Sequence, residues 1–145
     1  MNIFVICDDP TRNARMLDNK RLVKMVLETA QLLSNSLHHH LGKGPYKISH
    51  MNHPCSVWVR SSNGNYVWTV KLFYALCIEY TRRYHRTHKS ESLLPLFESV
   101  PSIGESITEF ANCTNFKDLP VFSAYRMAMR TKWANDKTKP SWSVK

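Results

Sequence analysis

Between Asp18 and Ser36 the chain reads DNKRLVKMVLETAQLLSNS. On a helix turning about 100° per residue these side chains fall into two sectors. Leu22, Val23, Met25, Val26, Leu27, Thr29, Ala30, Leu32 and Leu33 fill the wider one. Lys20, Arg21, Lys24, Glu28, Gln31 and Asn35 share a strip only roughly 100° wide. A surface helix has the opposite proportion, so the pattern predicts a helix enclosed by protein along most of its circumference. A second long stretch, Asn65 to His85 (NYVWTVKLFYALCIEYTRRYH), is also apolar around most of its wheel, with Lys71, Glu79 and Arg82 as its polar strip.

The shorter patterns fit around these two. Residues 2 to 7 are apolar and partly β-branched, as expected for a short strand or an extended arm. Asp9-Pro10 is a helix-start signal, with Asp as N-cap and Pro in the first turn, and predicts a short helix over 10–17. Gly42 is placed to end the central helix in the left-handed conformation. Residues 43–53 read as a polar loop. A short apolar element follows Pro54 and is punctuated by Ser61-Ser62-Asn63-Gly64. A third helix is predicted over 90–100, broken or started by Pro95, then a loop with one turn over 101–120, and a last helix from Val121 to Ala134. The tail NDKTKPSWSVK is cationic with one large aromatic. The predicted fold is mainly α: a single compact helical domain, 1–145, built on two long and mostly buried helices with a short extended N-terminal arm.

Composition narrows the function classes. Four glycines and seven prolines in 145 residues exclude a linker-rich or disordered chain, and 43% hydrophobic residues suffice for one core. No apolar run approaches the length of a membrane span, and the start MNIFVICDDP lacks the cations and length of a signal peptide. A cytoplasmic location with no membrane partner is expected. Cys7, Cys55, Cys77 and Cys113 are scattered with no C-x-x-C, the usage of free thiols in a reducing compartment. Net charge is +9. Residues 90–118 hold five of the eleven acids against Lys117 alone, leaving 19 cations and six acids elsewhere. That asymmetry favours a polyanionic partner, most simply nucleic acid.

Glu28 is the lone acid on the strip of the central helix. A single carboxylate fixed among cations is how a general acid/base or charge stabiliser is often held. The same spacing equally suits a solvated face with a Lys24–Glu28 ion pair. Arg82-Arg83-Tyr84-His85-Arg86-Thr87-His88-Lys89 is the densest basic run, a phosphate-contact patch or a favourable helix end. Lys139 and Trp142 pair a cation with an indole, suited to stacking on an unpaired base or to a tail folded back on the core. His38-His39-His40 diverge on a helix, and His50-x-x-His53 with Cys55 lacks a fourth ligand at zinc-site spacing, so no metal is expected. Phosphate-loop, dinucleotide and nucleophile-elbow motifs are absent, and no cofactor is expected.

Three stretches carry a resemblance: ARMLDNKRLVKMVLETAQLL, the run from MNHPCSVWVRSSNGNYVW to EYTRRYH, and the terminal KPSW. In order and spacing they resemble the pyrimidine-dimer DNA glycosylase family, small helical ultraviolet endonucleases typified by a phage enzyme. The resemblance implies base excision on damaged or modified pyrimidines. In that reaction the amino-terminal amine, on Met1 or on Asn2 after processing, attacks C1′ to form a Schiff base. Glu28 would stabilise the sugar cation and assist the proton transfers of strand cleavage. Lys20, Arg21, Lys24 and Arg60 would contact phosphates, and His53 would orient a substrate group. The sequence departs from the family at Asn2, where a small residue is usual, and at Leu27, where a basic one precedes the Glu. Two other readings remain open. One is a non-catalytic phage protein binding nucleic acid or sequestering a nucleotide. The other is an inhibitor of a host enzyme that docks through the acidic 90–118 segment.

Overall fold

A computed structural model describes residues 2–100 and 106–144. Among these residues there are six α-helices and no strand: α1 Pro10–Met16, α2 Asn19–Leu41, α3 Pro54–Ser61, α4 Asn63–Tyr84, α5 Leu94–Glu98 and α6 Val121–Asn135. A 3₁₀ turn, Lys89–Leu93, leads directly into α5. The mainly α expectation holds.

The helix ends follow local chemistry. Asp9 accepts from the backbone N–H of Thr11 at 2.8 Å, with Pro10 opening α1. Gly42 closes α2 at φ +73°, its N–H donating to the His38 carbonyl. His53 and Ser62 cap α3 and α4 through Nδ1 and Oγ. α4 therefore starts two residues earlier than its apolar pattern suggests, because Ser62 offers the cap.

α2 and α4 pack against each other, with α1 on α4 and α3 against both. Leu22, Met25, Val26, Leu32 and Leu33 of α2 and Leu72, Phe73 and Leu76 of α4 are fully buried in the core. The arm, residues 2–7, is neither paired nor fully extended: Phe4 takes a left-handed φ of 47° and the chain bends at Ile6 and Cys7. Its backbone is held by buried Asn13, whose Oδ1 accepts from Ile6 N–H at 2.8 Å and whose Nδ2 donates to the Cys7 carbonyl at 2.6 Å. Arg126 of α6 donates to the Ile6 carbonyl from the other side.

Beyond α5, residues 106–120 form an irregular strap with a turn near its end, while 101–105 of the predicted loop lie outside the described residues. Side chains fasten the strap. Buried Asn65 exchanges hydrogen bonds with Thr108 at 2.8 and 2.9 Å, Trp58 Nε1 donates to the Glu109 carbonyl, and Phe110 stacks on Trp58 at 4.8 Å.

Candidate active site

The polar strip of α2 is narrower and differently composed than its wheel predicts. Arg21 is buried: its guanidinium spans Asp18, at 3.2 Å, and both carboxylate oxygens of Asp136 just beyond α6. Asn35 is also fully buried, donating from Nδ2 to the Ser49 carbonyl at 2.5 Å and to Ser56 Oγ at 3.2 Å. Conversely, Val23 and Leu27 are each 40% exposed. The open face of α2 is thus Lys20, Val23, Lys24 and Leu27, edged by Glu28 and Gln31.

Glu28 lies at the border of that face. Its side chain is 19% exposed, and Lys24 Nζ stands 3.6 Å from Oε1. The other oxygen, Oε2, is buried with no hydrogen-bond partner among the described residues. A carboxylate oxygen out of water without a donor is costly, and such atoms in folded proteins call for an explanation. His53, at the start of α3, is near enough to feel this carboxylate. Burial lowers the His53 pKa, the charge of His50 adds to that, and Glu28 opposes it. His53 Nδ1 accepts from Cys55 N–H at 3.1 Å, which leaves the proton of the neutral ring on Nε2.

The remaining candidates divide between two ends of the molecule. Buried Arg83 donates to the carbonyls of Leu17 and Arg15 and to Asn19 Oδ1, joining the C-terminal end of α4 to the N-terminal end of α2. It also pairs with buried Glu79 at 2.8 Å. Arg83 and Arg21, expected as phosphate contacts, are instead internal ties, because acids and carbonyls distant in sequence consume their donors. Arg82 is exposed and bonded to Glu79 at 2.5 and 3.0 Å, where burial raises the Glu79 pKa less than the two arginines lower it. Arg86 is exposed at the same end.

The tail returns to this end too. Ser141 offers its carbonyl to Asn19 N–H at 2.7 Å, satisfying one of the free donors opening α2, and Asn19 Nδ2 donates to the Ser143 carbonyl. Lys20 bonds Asp136 at 3.2 Å, and Lys139 lines the same small notch. Trp142 donates to the Met16 carbonyl at 3.0 Å and sits edge-on to Trp133 at 5.3 Å, with 38% of its surface open. Its indole is folded back on the body of the protein, the alternative to a free stacking platform.

Arg60 stands apart. It donates to the Met51 carbonyl and lines a cleft of about 390 Å³ with Ser36, His40, Val59 and Tyr66. Glu28 is not part of that cleft; the eight residues to Ser36 advance about 12 Å along α2. Asn2 turns its Oδ1 back to Phe4 N–H at 2.8 Å, and Met1 lies outside the described residues.

One grouping escaped the sequence. Cys55 and Cys113, 58 residues apart, meet with Sγ atoms at 2.9 Å, and the donor atoms of His53, Cys55 and Cys113 lie within 4.8 Å of one another. No spacing pattern announces it, since Cys113 arrives on the irregular strap. Asp136, the acid that claims Arg21 and Lys20, was equally invisible as part of the unpatterned tail.

Residues 1–92 match a family model described as pyrimidine dimer DNA glycosylase. The chain belongs to that family. The matched segment carries the arm and α1 to α4, hence Glu28, His53 and the basic end of α4, whereas the strap, α6 and the tail lie beyond it. No curated protein and no solved structure matches the chain. Membership in this glycosylase family implies a DNA glycosylase-like function with DNA as the substrate. No helix among the described residues is long and apolar enough to cross a membrane.

Proposed function

We propose that this family member excises damaged or modified pyrimidines from DNA and then cleaves the strand at the abasic site. Glu28 is the catalytic carboxylate, and the α-amine of the first residue, Met1 or a processed Asn2, is the nucleophile. The observation that carries this reading is the buried Oε2 of Glu28, without a hydrogen-bond partner among the described residues, at the rim of a cationic helix face. An oxygen kept out of water and away from donors is suited to a positive charge that arrives with the substrate. The amine forms a bond to C1′ as the glycosidic bond breaks and the base departs with its electron pair; a proton then passes from nitrogen to O4′ as the C1′–O4′ bond breaks, opening the sugar ring and leaving an iminium at C1′. The carboxylate stabilises the developing sugar cation. Abstraction of a C2′ proton then expels the 3′ phosphate by elimination. Lys20, Lys24, Arg82, Arg86 and Lys139 contribute phosphate contacts around the site. His53 Nε2–H is a donor suited to orienting a substrate group.

Borohydride trapping tests the reading directly. Incubation with duplex DNA containing a cyclobutane pyrimidine dimer or an abasic site should yield a covalent adduct on the N-terminal peptide. Intact mass spectrometry shows at the same time whether Met1 is retained. Glu28→Gln should stop strand cleavage while retaining DNA affinity. Binding and thermal stabilisation by mononucleotides or dinucleotides, with the DNA left intact and no adduct trapped, would sink the enzymatic proposal.

A further inference from the structure

We propose that Cys113 and Cys55 form an oxidant-sensitive dithiol site, in which a hydroperoxide oxidises Cys113 and Cys55 resolves it to a disulfide joining the strap to α3. The two sulfurs stand 2.9 Å apart, Cys55 fully buried in the first turn of α3 and Cys113 half-buried on the strap. Exposure and burial thus assign the roles, since an oxidant reaches Cys113 first and Cys55 waits behind it. The strap is fixed where Cys113 leaves it. Buried Tyr125 donates to the Ala111 carbonyl at 2.7 Å and accepts from Cys113 N–H at 3.2 Å. The hydrogen bond from Cys55 leads the influences that draw the Cys113 thiol well below its ordinary value, with Tyr125 and Lys117 acting in the same direction against burial, while that hydrogen bond and burial push Cys55 up.

The presence of His53 raises the competing possibility of a metal. Its ring is already committed, however. Nδ1 accepts from Cys55 N–H to cap α3, so the neutral ring carries its proton on Nε2 and presents no second lone pair. Two thiolates on one tetrahedral zinc also stand about 3.8 Å apart, wider than this pair. The dithiol reading needs neither a broken cap nor a parting of the sulfurs.

The chemistry balances. The Cys113 thiolate attacks one peroxide oxygen, the O–O bond breaks, and the departing hydroxide takes up a proton as water, leaving a sulfenic acid. The Cys55 sulfur then attacks the Cys113 sulfur, the S–O bond breaks, and hydroxide leaves with the Cys55 proton as a second water. Two thiols lose two electrons and two protons, and hydrogen peroxide is reduced to two waters.

The full chain is to be treated with hydrogen peroxide, denatured, alkylated with N-ethylmaleimide and weighed intact. Two alkylations rather than four are expected, with tryptic peptides 48–60 and 90–117 joined until dithiothreitol separates them. The thermal midpoint of the oxidised protein should rise by several degrees. Cys113→Ser, a change at a half-buried position, should leave Cys55 reduced under the same peroxide. Cys55→Ala should leave Cys113 as sulfenic or sulfinic acid. The proposal falls if all four thiols survive, if another cysteine pair forms, or if Cys55 oxidises equally without Cys113. It falls likewise if the purified protein holds one zinc that blocks alkylation of both thiols until chelated.

Discussion

A carboxylate oxygen held away from water and from every described donor weakens a fold, by about 1–3 kcal/mol on typical figures. Glu28 Oε2 is in that position, and a Lys24 ammonium 3.6 Å from its sister oxygen returns little at a half-open surface. Glu28→Gln should therefore leave stability unchanged or raise it slightly, while cleavage falls by about 10²–10⁴-fold, the usual worth of a positioned acid or base. Denaturant unfolding beside single-turnover cleavage separates the two effects. A stability loss above about 2 kcal/mol would mean that the carboxylate serves the fold instead. The acid itself was legible from the wheel of α2. Its neighbours were not, because Arg21 and Asn35 look as polar as Lys20 until Asp136 and Ser49 arrive from elsewhere in the chain. Periodicity reports which side of a helix a residue occupies, not what will be folded over it.

At the scale of elements, two helix starts depend on neutral histidines. His53 Nδ1 accepts from Cys55 N–H, and His88 Nδ1 accepts from Ser90 N–H at 3.0 Å. Protonation would turn each acceptor into a donor and set a positive charge at a helix N-terminus. Burial lowers both pKa values below the ordinary 6.5, although Glu91 opposes this at His88 and Glu28 at His53. The unfolded chain therefore takes up these protons first as the solution acidifies. Stability from both caps is complete above about pH 6.5 and declines as the pH falls through that value. Melting curves from pH 8 to 5 should show this loss, and His53→Asn with His88→Asn, which keeps acceptors that do not titrate, should flatten it. An identical slope in the double variant would assign the loss to other groups. The start of α1 and the end of α2 were readable because Asp9-Pro10 and Gly42 are local signals, whereas histidine caps resemble ligands or catalytic groups in a sequence. The basic end of α4 separates in the same manner. Arg83→Met leaves buried Glu79 to Arg82 alone and removes the donors from the Leu17 and Arg15 carbonyls, and should cost about 3 kcal/mol, while exposed Arg82→Met should cost less than about 1 kcal/mol, as chemical denaturation would measure.

Across the whole molecule, the internal tie of Arg83 and the docking of the tail on Asn19 gather cations that lie far apart in sequence. Lys20, Lys24, Arg82, Arg86 and Lys139 share one end, while Arg60 belongs to the other end of α2, beside His40. Net charge announced a polyanionic partner; only the folded chain distributes that charge between faces. Since each neutralised phosphate adds about 0.9 to the slope of log affinity against log salt, the distribution can be measured. Duplex binding titrated between about 50 and 200 mM salt should lose close to one such increment in Arg86→Gln and in Lys139→Gln, neither of which has an acidic partner among the described residues. Lys20→Gln should lose less, because Lys20 already spends part of its charge on Asp136. Arg60→Gln should leave the slope where it was. The reverse order, with Arg60 dominant and Arg86 silent, would move the DNA to the cleft at the far end of α2. Glu28 lies eight residues from Lys20 and eight from Ser36, about 12 Å along α2 either way, so the order of the salt effects decides which half of the helix the DNA covers.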